Sequence, residues 1–239
     1  MPNLALFDFD GTITVADTFT PFIYFAVDPA RLRLGKVLLA PIIAAYKLKL
    51  IRASLARASI VKLGFWGKEE VAVRQLGSTY SREKVRAVVR PKALERLLWH
   101  QARGDTVVIV SASLEVYLSD WCDQLGFDLI ATQLESRSGL LTGRYLHGDC
   151  TRSEKARRIC QRYDLKSYQV VYAYGDTKDE EAMLALAHKK YFRWRETIDL
   201  AATVAADDRG DPNNKRRLRE IDLENANLER LVAEQERTS

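Results

Sequence analysis

Two aspartates stand two positions apart just after the first apolar run of the chain. The run Leu4–Phe7 leads into Asp8-Phe9-Asp10-Gly11-Thr12. Residues two apart on a strand share a face, so the carboxylates of Asp8 and Asp10 should emerge together. Gly11 permits a sharp turn and a close approach of the backbone to a ligand. Paired carboxylates repel unless a proton or cation lies between them, so this stretch predicts a divalent metal such as Mg²⁺ and a phosphate ligand rather than a solvated turn.

Three more candidate residues lie on other predicted elements or directly after them. Ser111 ends the apolar run 106–110, Asp176 follows Gly175 after the run 170–174, and Lys155 lies on a predicted helix over 152–163. The carboxyl ends of parallel strands meet at one edge of a sheet, where open α/β sheets bind ligands. Two of these positions also have plainer interpretations. Ser111 would serve as the N-cap of the next helix, and Lys155 would belong to a solvated basic helix face.

Strands alternating with helices after Pro91 predict a doubly wound, parallel α/β sheet. The predicted strands are 4–7, 106–110, 128–133, 170–174 and 191–192, the last ending the sheet, and the predicted helices are 92–103, 114–125, 152–163 and 180–187. The segment 134–147, with two glycines, predicts a hairpin or flap beside the site.

The segment between the first strand and Pro91 shows only helical patterns. Helices are predicted over 17–27 and 69–80, with a helix kinked or split by Pro41, helical spacing from Leu48 to Ile60, and a turn over 64–67. The predicted domains are therefore a core of 1–14 and 89–206, an all-helical cap of 15–88, and a charged linker with a C-terminal helix over 207–239. The apolar spacing of that helix is compatible with a homodimeric coiled coil or with a solvated tail helix.

Charge and composition limit the functional classes. The 239-residue chain carries a net charge of +5, yet residues 29–68 contain nine bases and no acid. Three cysteines without metal-ligand spacing and an N-terminus without a signal peptide pattern predict a cytoplasmic protein. The basic stretch is interleaved with aliphatic residues. Amphipathic helices usually face a core, so packing of these aliphatic residues inside the cap is the first interpretation. Peripheral contact with an anionic membrane, at its inner face, is the alternative, and nucleic acid is disfavoured.

Four sites along the chain resemble, in this order, the four motifs of the haloacid dehalogenase superfamily, most of whose members are phosphatases. The sites are the pair Asp8 and Asp10, then Ser111, then Lys155, and then Gly175-Asp176. The resemblance covers Leu4 to about Trp194, and its first motif, 8–12, is highly specific. The helical insert, which is the predicted cap of 15–88, resembles the first of the cap types of that superfamily, as in the phosphoserine phosphatase-like subfamily (subfamily IB). The resemblance implies a Rossmann-like core and a Mg²⁺-dependent phosphomonoester hydrolase. Its expected substrate is a small phosphorylated metabolite such as phosphoserine, and its expected intermediate is an aspartyl phosphate.

The resemblance also assigns residue roles. Asp8 would be the nucleophile, Asp10 the acid and then the base, and Lys155 a positive charge between Asp8 and the phosphate. The phosphate would be bound by Gly11, Thr12, Ser111 and Ala112, and Mg²⁺ by Asp8, the carbonyl of Asp10 and Asp176. The outer acid of the last motif is ambiguous, because Glu180 or Glu181 has the usual spacing from Asp176 and Asp179 falls one position early.

The substrate is less defined than the reaction. Asp17 stands nine residues after Asp8, where phosphoserine enzymes have a glutamate that engages the substrate's amino group. The stretch 37–66 also resembles the cap of bacterial phosphatidylglycerophosphatases, which implies a phosphorylated lipid headgroup at the membrane surface as the alternative substrate. A binding or scaffold protein with an inactive core is the alternative of another class, although no expected catalytic position is missing.

Overall fold

A six-stranded sheet forms the centre of the computed structural model, which describes residues 2–197. Its strand order is β3-β2-β1-β6-β7-β8, and the pairings of β1 with β2 and β6, of β2 with β3, and of β6 with β7 are parallel. The strands are β1 (Leu4–Phe7), β2 (Thr106–Leu114), β3 (Asp128–Thr132), β6 (Val171–Gly175), β7 (Lys189–Phe192) and β8 (Arg195–Thr197), and a separate antiparallel pair is formed by β4 (Leu134–Arg137) and β5 (Leu140–Tyr145). The predicted parallel α/β fold is confirmed.

Helices fill the connections. Before β2 lie α1 (Phe19–Ala26), α2 (Pro29–Leu38), α3 (Ala40–Lys47), α4 (Ala53–Phe65), α5 (Glu70–Tyr80) and α6 (Pro91–Ala102), and after β2 lie α7 (Glu115–Leu125), α8 (Ser153–Arg162) and α9 (Glu181–Ala185). No helix in the described part of the chain is long and apolar enough to cross a membrane.

The strand β1 is the switch point of the topology. The chain passes from β1 to β2 on one side, and the later strand β6 pairs with β1 on the other side. All four residues of β1 are buried, as expected for a strand covered on both faces. Ligands of open α/β sheets bind at the carboxyl ends of strands where the order reverses, so the fold places Asp8 at that crevice.

The elements between residues 15 and 88 are helical, and a shared aromatic core attaches them to the sheet domain. Phe22 of α1 lies 4.7 Å from Tyr117 of α7 and 5.2 Å from Tyr80 of α5, measured between ring centroids. Helix α5 approaches α7 so closely at Gly77 that a Cβ there would overlap the backbone carbonyl of Val116. The assignment of 15–88 as a separate cap domain stays a prediction.

Several predicted boundaries are wrong. Strand β2 continues through Ser111-Ala112-Ser113 to Leu114, and its register with β3 shifts between Val110 and Leu114. The helical spacing after Leu48 does not form one helix, because α4 begins only at Ala53 and Lys49 adopts a left-handed backbone with φ 58°. Helix α4 also extends to Phe65, into the predicted turn.

Other differences are smaller. Helix α1 begins at Phe19 rather than Asp17, and a 3-10 turn over Lys178–Glu180 precedes the short α9. The strand predicted at 191–192 is not the last, since β8 follows it. The split at Pro41 is confirmed, with α2 ending at Leu38 and the proline inside the first turn of α3. The predicted core segment 198–206 and the C-terminal helix lie outside the described residues.

Candidate active site

The backbone of the first turn places Asp8 beside the end of β6. Phe7 pairs in register with Ile109 and Tyr174, and the Asp8 N–H donates to the Tyr174 carbonyl at 3.0 Å. Gly11 adopts φ +84°, and a Cβ there would overlap the Asp176 carboxylate. Glycine is therefore required at this position for both its backbone conformation and its space.

Asp8 and Lys155 form a buried ion pair. The Lys155 Nζ donates to Asp8 Oδ1 at 2.5 Å and to Glu180 Oε1 at 3.1 Å. Burial lowers the pKa of Lys155, but the charges of Asp8 and Glu180 more than reverse this, so its pKa lies above the usual value. Burial raises the pKa of Asp8, the Lys155 charge opposes this, and the net shift is upward. The lysine thus stays charged and offsets part of the negative charge.

Asp176 completes a cluster of acids with Asp8 and Glu180. One carboxylate oxygen from each of the three lies within 4.8 Å of the others. Thr12 Oγ1 donates to Asp176 Oδ1 at 3.1 Å. Burial, followed by the charge of Glu180, raises the pKa of Asp176 to about 6. One lysine faces three acids here, so the cluster retains excess negative charge.

The residues present fit a divalent cation. Asp8 Oδ2 is buried and has no hydrogen-bond partner among the described residues. An orphaned carboxylate oxygen is costly unless a proton, a cation or a ligand completes it. The candidate donors are carboxylate and carbonyl oxygens, which Mg²⁺ prefers. Both Glu180 oxygens already accept bonds from Lys155 and Thr177, so Asp8 and Asp176 are the better direct ligands.

Asp10 is held on both oxygens. Its Oδ1 accepts the N–H and the hydroxyl of Thr18, each at 2.7 Å, and its Oδ2 accepts the Ser113 hydroxyl at 2.5 Å. Burial raises the pKa of Asp10, although these hydrogen bonds act in the opposite direction. A carboxyl group with a fixed orientation and a raised pKa is suited to donate a proton.

Ser111 is buried near the end of β2. Its hydroxyl oxygen accepts the Ser113 N–H at 3.0 Å, and the adjacent Ala112 carbonyl accepts the Thr132 hydroxyl at 2.8 Å. The alternative of Ser111 as a helix N-cap is wrong, because Leu114 occupies that position and makes no side-chain cap bond. These contacts leave the role of Ser111 and Ala112 in phosphate binding a prediction.

The structure distinguishes two of the three candidate outer acids, Glu180 and Asp179. Glu180 points inward to Lys155, whereas Asp179 forms an ion pair with Arg152 at 2.8 Å. Asp17 is exposed and does not belong to the cluster of Asp8, Asp176 and Glu180. Its carboxylate accepts the N–H groups of Phe19 and Thr20 at 3.1 and 3.0 Å, so it caps the first turn of α1. The substrate role of Asp17 stays a prediction.

Sequence reasoning missed residues that hold the site. Ser113 and Thr18 orient Asp10, and each had one weak signal: Ser113 lies two residues after Ser111, and Thr18 follows Asp17 at a helix start. Three others donate to backbone carbonyls of the site and had no local signal. Arg90 donates to the Gly11 carbonyl, Trp194 to the Thr12 carbonyl, and Arg193 to the Asp176 carbonyl.

A cavity of about 460 Å³ lies between α4, β5 and the start of α8. It includes none of the three clustered acids, but Asp179 on its wall directly precedes Glu180. Arg57 on the wall pairs with Asp149 at 2.8 Å. Arg52, also on the wall, has no ion pair with any residue in the described range 2–197.

Comparisons with known proteins show what this chain is similar to in sequence and in fold. The chain is 31% identical over 194 residues to Protein CicA of Caulobacter vibrioides, covering 80% of this chain and 86% of that protein. It is 24% identical over 202 residues to a histidinol-phosphatase of Neisseria meningitidis serogroup C, covering 78% and 87%. The crystal structure of a probable phosphoserine phosphatase from Vibrio cholerae has a TM-score of 0.59 and 20% identity, covering 80% and 56%. That likeness shows a common fold.

The family assignment rests on the match to the sequence pattern of a whole family. That pattern, described as haloacid dehalogenase-like hydrolase, matches residues 5–179. The matched segment includes both aspartates of the first turn, Ser111, Lys155 and Asp176. The resemblance inferred from the sequence is confirmed, and the chain belongs to the haloacid dehalogenase-like hydrolases.

Proposed function

We propose that this protein is a Mg²⁺-dependent phosphatase that hydrolyses a phosphomonoester through an aspartyl phosphate on Asp8. The observation that carries the proposal is the buried Asp8 carboxylate, with one oxygen held by Lys155 and the other without a described partner. Phosphatases named among the similar proteins support the reaction class.

In the first step, a carboxylate oxygen of Asp8 attacks phosphorus and the bond from phosphorus to the ester oxygen breaks. The Asp10 carboxyl gives its proton to the leaving alkoxide. Lys155 keeps Asp8 oriented and offsets negative charge as the phosphate approaches. Thr18 and Ser113 keep the Asp10 carboxyl aimed at the leaving oxygen.

In the second step, the Asp10 carboxylate takes a proton from water. The water oxygen attacks phosphorus, the bond from phosphorus to the Asp8 oxygen breaks, and inorganic phosphate leaves. Asp8 is again a carboxylate and Asp10 again carries a proton, so the cycle is balanced. A bound Mg²⁺, held by Asp8, Asp176 and the Asp10 carbonyl, would reduce the repulsion between Asp8 and an anionic phosphate.

The substrate we propose is a small phosphorylated metabolite such as phosphoserine. A phosphorylated lipid headgroup is the second candidate. One observation favours it: α2 and α3 contain many aliphatic residues but bury none of them. This surface would bring the cavity beside Asp179 close to a lipid substrate.

The test is phosphate release by the wild type, Asp8→Asn and Asp123→Asn. The substrates are p-nitrophenyl phosphate, phosphoserine, histidinol phosphate, sugar phosphates and phosphatidylglycerophosphate in micelles. Asp123 is an exposed acid on α7 and serves as the matched control. We expect Asp8→Asn to lose all measurable turnover and Asp123→Asn to retain it. Acid-quenched wild type should carry phosphate on Asp8.

Metal removal gives a second readout. We expect turnover to stop after dialysis against a chelator and to return with Mg²⁺. Equal turnover by the wild type and Asp8→Asn would refute the proposed nucleophile. A folded wild type loaded with Mg²⁺ that hydrolyses no substrate would instead favour a binding or scaffold role.

A further inference from the structure

The segment 29–52, comprising α2, α3 and the turn that follows, exposes an unusual number of apolar side chains. The exposed fraction is 72% for Val37, 69% for Leu48 and 74% for Leu50, and Leu34, Leu38 and Tyr46 are also exposed. Neither α2 nor α3 has a buried residue. Leu32 of α2 does pack against the buried core, so the sequence-based interpretation, in which the aliphatic side chains pack inside the cap, is wrong only for the exposed residues named here.

Positive charge accompanies the exposed apolar residues. Residues 29–68 contain no acid, and the described acids reach only part of the basic set, as in the pairs of Arg31 and Lys68 with Asp28. Within the segment 29–52, five bases form no ion pair with any residue of the described range: Arg33, Lys36, Lys47, Lys49 and Arg52. The surface thus combines uncompensated cations with aliphatic side chains.

We infer that the segment 29–52 docks the protein on an anionic lipid bilayer. A lipid surface supplies both missing partners, since its phosphates and acidic headgroups match the cations and its acyl boundary receives the aliphatic side chains. The described helices are too short to span a bilayer, so the contact is peripheral. This inference concerns a surface distant in sequence from the catalytic motifs, and it does not depend on the proposed phosphatase reaction.

Two other occupants fit less well. A second copy of the same surface would place positive charge against positive charge, which disfavours a symmetric dimer here. Nucleic acid is bound by basic residues with aromatic stacking partners, whereas the exposed side chains here are mostly aliphatic. Both remain distinguishable outcomes of the test.

The experiment measures sedimentation of the full chain with sucrose-loaded vesicles. One vesicle set contains phosphatidylcholine with about 30 mol% phosphatidylglycerol, which resembles an anionic leaflet. The other set contains phosphatidylcholine alone. We expect binding to the anionic set and its loss at high salt. Leu48→Ser/Leu50→Ser should weaken vesicle partitioning by roughly tenfold or more, and Lys47→Gln/Lys49→Gln by about thirtyfold.

The matched controls are Leu98→Ser, a partly exposed leucine on α6, and Lys166→Gln, an exposed lysine between α8 and β6. Both should bind vesicles like the wild type. Circular dichroism and turnover of p-nitrophenyl phosphate should be unchanged in all four variants, which excludes misfolding.

The inference is overturned if the wild type does not bind anionic vesicles at low salt, or if the double variants bind as well as their controls. It is also overturned if the wild type prefers duplex DNA to vesicles, or if light scattering shows a dimer that dissociates in Leu48→Ser/Leu50→Ser.

Discussion

The active-site edge of the sheet and the segment 29–52 depart from ordinary burial in opposite ways. The site buries charge: Asp8, Lys155 and Glu180 all lie within the protein. The segment 29–52 exposes aliphatic side chains such as Leu48 and Leu50. Desolvating each ion costs several kcal/mol, and an exposed leucine forgoes about 1.5–3 kcal/mol of burial. Neither arrangement serves stability, so each marks a place where function is expected.

The two regions differ in which described contacts already offset the free-energy cost of burying charge or of exposing apolar side chains. At the site, Lys155 lies between two acids, and hydrogen bonds hold Asp10 and Asp176. The missing part is small, one cation or ligand beside Asp8 Oδ2. On the segment 29–52, no described residue supplies counter-charge to five of the bases or covers the exposed apolar side chains. A small ligand would complete the first region, whereas only an extended surface would complete the second.

The largest expected effect concerns the buried ion pair. Lys155→Ala would leave Asp8 and Glu180 facing Asp176 without their shared cation. We expect a loss of about 3–5 kcal/mol in the free energy of unfolding and loss of turnover, because removing one partner strands a buried charge. Urea denaturation measures the first and phosphate release the second. Mg²⁺ should restore part of the stability by reducing the repulsion between the acids.

Arg157→Ala is the control on the same helix. Arg157 pairs with Glu154 on the exposed face of α8, so its removal should change stability little. Equal destabilisation by both variants would mean that Lys155 contributes no more to stability than an exposed helix residue. The buried ion pair would then not account for the stability of the site.

The next largest effect on stability is expected at the contact between α5 of the helical insert and α7 of the sheet domain. At Gly77 a Cβ would overlap the Val116 carbonyl, and neither backbone can yield without separating α5 from α7. We expect Gly77→Ala to lower the free energy of unfolding by about 1–3 kcal/mol, although alanine favours a helix by about 1 kcal/mol. Turnover should also fall, because Tyr80 of α5 donates to the Thr18 carbonyl, and Thr18 orients Asp10.

Ser78→Ala on the same turn of α5 is the matched control, and it should behave like the wild type. If Gly77→Ala were as stable and active as Ser78→Ala, the insert would tolerate displacement from α7. The site would then be independent of the insert's position.

A buried polar network away from the acids gives a pH-dependent effect. His100 Nδ1 lies 2.7 Å from Asp105 Oδ2, and its Nε2 lies 2.9 Å from the Tyr174 hydroxyl. Burial lowers the pKa of His100, opposed by Asp105 and assisted by Arg96 and Arg103. The folded protein therefore resists the proton that the unfolded chain accepts below about pH 6.5.

Stability from this group is present above pH 6.5 and is lost as the pH falls, by at most about 1.4 kcal/mol per pH unit. We expect His100→Gln to flatten the pH dependence of the free energy of unfolding between pH 5 and 6.5, measured in urea. His147→Gln, at an exposed histidine, should keep the wild-type slope. Parallel curves for the wild type and His100→Gln would refute this account of His100.

The sequence was most informative where a local pattern and a chemical requirement coincided. Asp8, Asp10 and Asp176 were identified as candidates because acids follow strand-like runs, and a parallel sheet brings strand ends together. Lys155 required the family resemblance as well, since its helix also carries several arginines. Spacing left Glu180 and Glu181 open and placed Asp179 one position early, but it could not show which side chain points inward, because that direction depends on the capping turn at Thr177.

What the sequence could not predict depended on partners far along the chain. Strand β2 was predicted too short because Ser111-Ala112-Ser113 has no apolar pattern, yet pairing of Leu114 with Thr132 extends it. Ser113 was missed for the same reason. Helical periodicity identified an apolar face on the segment 29–52 but not what covers that face, which only packing decides.

The smallest effect tests Asp17, which lies between the two regions in sequence. Its carboxylate caps α1 through the N–H groups of Phe19 and Thr20. An asparagine can keep the bond from the Phe19 N–H to Oδ1 but loses the Thr20 bond to Oδ2, because an amide nitrogen does not accept. Asp17→Ala should lower the free energy of unfolding by about 1 kcal/mol, and Asp17→Asn should lower it by less. The asparagine variant thus removes the charge and keeps part of the cap. If Asp17 also engages an amino group of the substrate, KM for phosphoserine should rise in Asp17→Asn while KM for p-nitrophenyl phosphate stays constant. If both KM values stay constant, Asp17 acts only as a cap.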